Sequence, residues 1–294
     1  MLRTKLFGQF APACPSTSQR VTSLFRHGQI TYDLLWALFK PGYLVYSTCL
    51  GTGKPRCVIF DAGEETIYSG VIYYKLDYRH LDFDGQDFGE ARIAFGIEKF
   101  RGAKAIDSLE AFPLRYHSDS ELVRQQLVEG GRKCCALTST HIQHCKGTAF
   151  IMSKGKPVQI NINSRVAVDA AIFREMRPNY SRPRVQDIWQ NQTRAIKVID
   201  VDYIFDGDQI SERENMRQKD GEFQQMTDYD FLICCPTVRC LGFKEKTFLK
   251  CVVSDLMTLS GPQNHSNASK FLKKQTSNPV TGNNPLEPHP DSAI

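Results

Sequence analysis

The cysteine and histidine residues at 134–145 are the clearest candidate metal ligands in this chain. They are Cys134, Cys135, His141, His144 and Cys145. Zinc takes four nitrogen or sulfur ligands in a tetrahedron, but adjacent cysteines rarely chelate one ion, and the usual ligand spacing is only partly present. We therefore expect core cysteines here, with the histidines on a loop or strand edge. A zinc-stabilised fold or a zinc enzyme is the alternative.

Four acidic residues lie close together at the next candidate site, namely Asp82, Asp84, Asp87 and Glu90. Their carboxylates could attract Ca²⁺ or Mg²⁺, but an EF-hand loop needs Gly at its sixth position and Glu at its twelfth. Counted from Asp82, Gly85 is fourth and Ile93 is twelfth. The pattern predicts a solvated hairpin tip, in which Gly85 supplies a positive φ.

The segment GTGKP at 51–55 comes nearest to a nucleotide-binding P-loop. The P-loop pattern is Gly-x-x-x-x-Gly-Lys-Ser/Thr, whose backbone amides wrap the phosphates and whose hydroxyl binds Mg²⁺. Here the upstream glycine is misplaced, and Pro55 replaces the hydroxyl residue and removes an amide. We expect a hairpin loop and no ATP hydrolysis. Because Gly-x-Ser-x-Gly, HExxH and paired CxxC motifs are also absent, we predict neither an enzyme nor a cofactor.

Composition narrows the class of protein and its compartment. The chain has 294 residues, 41% of them hydrophobic and 23% charged, which can bury a substantial core. A net charge of +5, spread along the chain, gives no case for a nucleic-acid partner. Ten cysteines, mostly within apolar runs, are typical of a reducing compartment. No apolar stretch has transmembrane length, so we expect an intracellular protein of the cytoplasm or nucleus with no membrane partner.

The elements that must position these residues are mostly strands. A short helix is predicted at 32–40 with Thr31 as its N-cap, followed by antiparallel strands from 43 onward with a bulge near 79–80. A capping-box spacing predicts a helix from Ser118 to about Glu129, and alternation predicts a strand at 158–168. The fold class is therefore α+β, a mostly antiparallel β meander with two or three short helices.

Three segments are expected to lie outside the packed domain. Residues 1–26 read as a disordered lead-in or a targeting segment, because they lack acidic residues and hold apolar residues at helical spacing, with the mitochondrion as the alternative compartment. Residues 183–228 are so polar that burying their side chains cannot compensate for the conformational entropy lost when the segment becomes ordered. We therefore predict a mobile insertion here. Residues 257–294 predict a disordered tail. The folded accessory domain is assigned to 27–256.

Several sequence blocks resemble the domain of unknown function that precedes the ATPase module in a family of fungal AAA-type ATPases. The blocks are 34–41 (LLWALFKP), 55–65 (PRCVIFDAGEE), 81–89 (LDFDGQDFG), 109–117 (LEAFPLRYH), 164–183 (SRVAVDAAIFREMRPNYSRP) and 232–249 (LICCPTVRCLGFKEKTFL). The ATPase module itself does not follow. None of the family's catalytic motifs has a matching position here, so no active-site residue is carried over.

The resemblance implies a non-catalytic accessory domain that binds proteins. Its expected partner is an unidentified protein, with a full-length AAA-type relative as one candidate. The expected contact surfaces are the exposed parts of 70–90 and the insertion at 183–228, since loops carry function more often than cores do. The alternative is a truncated fragment of a full AAA ATPase, which remodels proteins at the expense of ATP, with no independent function.

Overall fold

The computed structural model describes residues 15–85, 88–153, 156–176, 186–187 and 226–259. Most of the predicted insertion at 183–228, most of the predicted tail at 257–294 and residues 1–14 of the predicted lead-in lie outside these ranges. The described α-helices are α1 (Pro15–Arg26), α2 (Leu35–Leu38), α3 (Ser120–Ala136), α4 (Ala170–Met176) and α5 (Asp228–Leu232). The described strands are β1 (Gln29–Thr31), β2 (Leu44–Thr48), β3 (Pro55–Tyr68), β4 (Val71–Phe83), β5 (Phe88–Glu98), β6 (Ala103–Ala105), β7 (Ala111–Pro113), β8 (His141–Ser153), β9 (Lys156–Val168), β10 (Gln186–Asp187), β11 (Thr237–Gly242), β12 (Thr247–Val252) and β13 (Leu256–Thr258).

The α+β prediction is confirmed, because antiparallel strands dominate the described residues. A six-stranded sheet runs in the order β10-β5-β4-β3-β2-β7. Its central hairpin joins Tyr68 to Val71 through Ser69 and Gly70, both at positive φ (48° and 81°). Two consecutive residues of this kind form the turn whose twist matches a β-hairpin.

The second large sheet closes partly on itself. It runs β12-β11-β9-β8-β13, and β12 also pairs with β8, so that β8, β9, β11 and β12 form a ring. Cys145, Cys240 and Cys251 lie on these strands with no exposed surface. Small apolar thiols suit such a narrow interior. Contact with the Cys145 thiol lowers the pKa of Cys251, but contact with Cys240 together with burial outweighs it and raises that pKa, so the Cys251 thiol stays protonated at neutral pH.

The two sheets are joined through the backbone as well as through a shared core. The amide of Leu81 in β4 donates to the carbonyl of Ile233 at 2.9 Å, and the amide of Cys235 donates to the carbonyl of Leu81 at 2.7 Å. One hydrophobic cluster spans both sheets and includes Cys57, Leu81 and Cys240. The end of β4 is therefore the structural link between the first and second halves of the chain.

Helix α1 differs from the expected lead-in. A second hydrophobic cluster is formed by buried residues between Ile30 and Phe112, and we call it the core of the first half. Residues 15–26 form a helix whose Val21, Leu24 and Phe25 pack against this core. Arg20 on this helix also donates to Asp33 at 2.8 Å. Since this helix covers part of the core, a domain boundary at residue 27 would cut into the folded unit.

Two further predictions required correction. The helix predicted at 32–40 is a 3-10 turn at Tyr32–Leu34 followed by the short α2, and the Thr31 side chain does not cap it. Helix α3 continues through Gly130 and Gly131 to Ala136 instead of ending at Glu129. Glycine is required at position 131 because the carbonyl oxygen of Phe231 on α5 occupies the space that a Cβ atom would need.

The predicted bulge lies on the neighbouring strand. β4 runs unbroken from 71 to 83, and the register shift falls in β3 between Phe60 and Ala62. Along β4 the buried apolar residues switch from one face of the strand to the other, because its two parts pack against different hydrophobic clusters. Leu76 and Tyr78 belong to the cluster of the first half, whereas Leu81 belongs to the cluster that spans both sheets.

Candidate functional site

A cluster of buried charged residues lies where the two sheets meet. His80 and Asp82 alternate with Leu81 on β4 and so face the same side of the strand. Arg239 on β11 and Lys250 on β12 are directly opposite each other in the register and also share a face. His80, Asp82 and Arg239 are each only 5% exposed. The cluster is therefore assembled from strands on both sides of the junction.

The ion pair between Asp82 and Arg239 is the best-bonded part of this cluster. The two guanidinium nitrogens of Arg239 donate to the two carboxylate oxygens of Asp82 at 3.3 and 3.2 Å. Arg239 also donates to the carbonyl of Phe83, and the Phe83 amide donates to Asp82 at 2.8 Å. Removing one partner of such a buried pair costs about 3–5 kcal/mol, because the other charge is left without compensation.

The pKa values of these groups reflect burial set against neighbouring charge. Burial alone would raise the pKa of Asp82, but the charges of Arg239 and Lys250 outweigh it and lower that pKa. Burial lowers the pKa of His80 to about 3, and the positive charge of Arg56 adds to the effect. His80 is therefore a neutral imidazole at physiological pH.

The cluster carries more positive than negative charge. The charged side chains with the largest effects on His80 are three bases, Arg56, Lys250 and Arg239, and one acid, Asp82. Burial lowers the pKa of Lys250, but whatever its protonation state, the single acid Asp82 still faces the two arginines. A low-dielectric junction with this balance favours an anion over a cation.

His80, Asp82 and Cys235 form the one group of potential metal ligands that converges within the described part of the chain. Their ligand atoms all lie within 4.8 Å of one another. However, both oxygens of Asp82 already accept from Arg239, and the surrounding bases would repel a cation. The residues therefore do not suit a metal ion, although they have the right donor types.

The cysteine and histidine residues of the alternative zinc site at 134–145 are not brought together. Cys134 is buried on α3, whereas Cys145 lies inside the ring on β8. His144 bonds Asn163 at 2.8 Å, and His141 bonds Ser139 at 2.8 Å. These side chains therefore take part in separate local contacts.

The acidic group at 82–90 departs from the predicted solvated tip. Asp82 is buried in the ion pair with Arg239, Asp84 pairs with Arg174 at 3.3 Å, and Glu90 lies 3.8 Å from Arg79. Gly85 adopts the predicted positive φ, at 102°. Asp87 lies outside the described residues. The sequence suggested the turn correctly, but nothing in it showed that Arg239 and Arg174, each at least 90 positions away, would neutralise Asp82 and Asp84.

An aromatic cleft of about 380 Å³ opens on the surface of the first half, beside α2. It is lined by Arg20, Thr31, Tyr32, Asp33, Trp36, Glu65, Tyr74, Lys99, Phe100 and Gly102. Tyr32 packs edge-on against Phe100 at 5.8 Å and against Tyr74 at 6.5 Å between ring centroids. Trp36 is 41% exposed. The cleft therefore presents aromatic rings to any molecule that enters it.

The charges at the rim of this aromatic cleft neutralise one another. Arg20 pairs with Asp33 at 2.8 Å, and Lys99 lies 3.8 Å from Glu65. The Lys99 ammonium also lies 5.3 Å from the centre of the Tyr32 ring. Burial, with a further effect of Glu65, raises the pKa of Tyr32 to about 12, so its hydroxyl stays protonated. The cleft therefore has an apolar floor, and the positive and negative charges at its rim compensate each other.

A second surface cleft, of about 360 Å³, lies beside β7. The rings of Tyr46 and His117 are 4.6 Å apart there. Ser118 donates to Asp119 at 3.0 Å, and His117 accepts from the Asp119 amide at 3.0 Å, so serine and histidine form no nucleophile–base pair.

Comparison with known proteins gives one match, to a family model that covers part of the chain and has no known function. Residues 20–118 match the family model described as a domain of unknown function (DUF7025), about a third of the chain. No curated protein matches the chain significantly. No solved structure matches it significantly either.

The matched segment has a clear place in the structure. It begins at Arg20 on α1 and ends at Ser118, just before α3. It therefore contains five of the six strands of the six-stranded sheet and both surface clefts. Four of the six resembling blocks fall within it, and those at 164–183 and 232–249 fall outside. Among the described residues, every helix is too short or too polar to cross a bilayer.

Proposed function

We propose that this chain is a non-catalytic binding domain, related to the accessory domain that precedes the ATPase module of fungal AAA-type ATPases, and that it binds a protein partner in the aromatic cleft. The observation that carries the proposal is the exposed Trp36 beside the rings of Tyr32, Tyr74 and Phe100. Aromatic anchors of this kind dominate protein recognition. The family match from 20 to 118 contains the whole cleft.

The lining residues indicate what the partner must present. Because the rim charges pair with each other, charge contributes little, and the partner supplies an apolar or aromatic side chain in an extended segment. A full-length AAA-type relative is one candidate source of that segment. His80 and Asp82, whose pKa values are shifted by burial and by neighbouring charges, are buried and line neither cleft. Their position supports the non-catalytic assignment, because they do not face a molecule bound in either cleft.

Peptide selection against the full chain tests this proposal. Peptides enriched from a random library should bind the chain and change the tryptophan fluorescence, because Trp36 is one of only two tryptophans. Trp36→Ala should weaken their binding at least tenfold. Leu122→Ala is the matched control, since Leu122 is a 54% exposed apolar residue on α3, outside the cleft, and should leave binding unchanged.

Equal binding to the wild-type chain and to Trp36→Ala would refute the assignment of the cleft. An ATPase assay on the purified chain provides the second test, and we expect no hydrolysis above background. Sustained turnover of ATP would refute the non-catalytic assignment. A full-length AAA-type relative should co-elute with the wild-type chain in size-exclusion chromatography and should fail to co-elute with Trp36→Ala.

A further inference from the structure

Arg56, near the start of β3, is a buried guanidinium whose bonding is incomplete. The residue is 6% exposed, and its Nε and Nη2 atoms have no hydrogen-bond partner among the described residues. These two nitrogens form one edge of the guanidinium, with parallel N–H bonds spaced to meet two oxygens of a carboxylate or phosphate. The unpartnered atoms are therefore the pair that a bidentate oxoanion would use.

Two other buried polar atoms with no partner belong to the same region. Ser47 is the direct cross-strand partner of Arg56 in the pairing of β2 with β3, so both side chains face the same side of the sheet. The Ser47 hydroxyl is unpartnered in a residue that is 1% exposed. The pairing of Phe60 with Tyr78 places Arg56 and His80 on the same face of the sheet. The charge of Arg56 acts on His80, whose Nδ1 is buried without a partner. All three groups can donate a hydrogen bond, His80 in one of its neutral tautomers.

Among the described residues, no carboxylate accepts a hydrogen bond from Nε or Nη2 of Arg56. Asp82, the acid that acts on the neighbouring His80, already accepts from Arg239 through both of its oxygens. Native structures seldom leave several buried donors unsatisfied in one place, and each such case calls for a missing partner. The missing partner here must be negatively charged and rich in acceptors.

We propose that Arg56, Ser47 and His80 bind a small oxoanion at the junction between the two sheets. Inorganic phosphate is the best fit, because a single phosphate group can accept the paired N–H bonds of Arg56 together with a hydroxyl and an imidazole N–H. The donors are buried, so the ligand is a free ion and not the phosphate of a nucleotide or lipid. Such an ion would also balance the positive charge of Arg56, which Asp82 does not compensate because Asp82 already pairs with Arg239.

Thermal unfolding of the full chain tests this site, with phosphate compared against chloride at equal ionic strength and pH 7.5. The melting temperature should rise along a saturating curve, by about 5 °C when phosphate reaches a hundred times its Kd. Phosphate also stabilises proteins weakly through exclusion from their surface, an effect that does not saturate. Arg56→Lys keeps the charge but loses the paired N–H edge, so it should abolish the saturating part alone. Arg101→Lys, at an exposed position, should keep both parts.

A direct binding measurement covers the case in which Arg56→Lys does not fold. Phosphorus NMR of phosphate with the wild-type chain should show concentration-dependent line broadening, and Ser47→Ala should weaken binding severalfold. The proposal is overturned if the wild-type chain shows neither a saturating shift nor broadening. It is equally overturned if folded Arg56→Lys binds phosphate as tightly as the wild-type chain does.

Discussion

Mild acid should destabilise this protein through His80. The imidazole is 5% exposed, and burial together with the charge of Arg56 lowers its pKa from 6.5 to about 3 in the folded state. In the unfolded chain His80 returns to its ordinary pKa and takes up a proton as the pH falls below about 6.5. The unfolded state then binds more protons than the folded state, so stability falls with pH.

The size of the effect follows from the separation of the two pKa values. His80 contributes its full stabilisation above about pH 6.5, and this is lost progressively as the pH falls toward 3. Each pH unit inside that window costs roughly 1.4 kcal/mol. Lowering the pH from about 6.5 to about 5 should therefore remove roughly 2 kcal/mol of unfolding free energy through this residue alone.

Urea unfolding of the full chain at a series of pH values measures this loss. His80→Gln cannot titrate, so its free energy of unfolding should fall about 2 kcal/mol less than that of the wild-type chain between pH 6.5 and 5. The comparison uses the change with pH, so any difference in stability at pH 7.5 cancels. His27→Gln is the matched control, because it makes the same substitution at an exposed position outside the junction.

Parallel curves for the wild-type chain and His80→Gln would refute the reasoning. Such a result would mean that protonated His80 is accommodated in the folded state, and hence that the junction is open to water or holds a compensating anion at mild acid. Repeating the series with phosphate present separates these two explanations.

Two further predictions concern the contacts that join the halves of the chain. Asp82→Asn should lower the free energy of unfolding by about 3–5 kcal/mol in urea, because it leaves Arg239 buried without its counter-charge; a loss below about 1 kcal/mol would mean that water reaches the pair. Gly131→Ala should destabilise by more than about 2 kcal/mol, since its Cβ would collide with the Phe231 carbonyl, whereas Gly130→Ala, which meets no atom within 4 Å, should stabilise by about 0.5–1 kcal/mol. Similar thermal melts for the two glycine variants would contradict the observed packing of α3 on α5.

Local pattern was a good guide to the elements of this fold. Alternation predicted the strand that the structure places at Lys156–Val168, and Gly85 has the backbone conformation expected of the turn between β4 and β5. Composition suggested small buried cysteines, and Cys145, Cys240 and Cys251 fill the ring of the second sheet. These features depend on neighbouring residues and on side-chain type, both of which the sequence states directly.

Where prediction failed, a contact between distant residues decided the structure. No local pattern predicts that α3 continues through Gly130 and Gly131, because the explanation is the close approach of Phe231, 100 positions from Gly131. Similarly, residues 1–26 read as a disordered lead-in or a targeting segment, whereas the packing of Phe25 on the core accounts for the helix at Pro15–Arg26. Local propensity is a weak determinant where tertiary packing supplies the larger free energy.

By itself, the sequence determined an α+β domain of mostly antiparallel strands, a resemblance to a domain of unknown function, and the lack of a P-loop. Only the tertiary structure decided where the chemistry lies. Asp82 reads as a solvated acid in the sequence, yet it is buried against Arg239, 157 positions later in the chain. Whether a charge is solvated or buried depends on what folds over it, and that information resides in contacts between strands rather than in the spacing of residues along one strand.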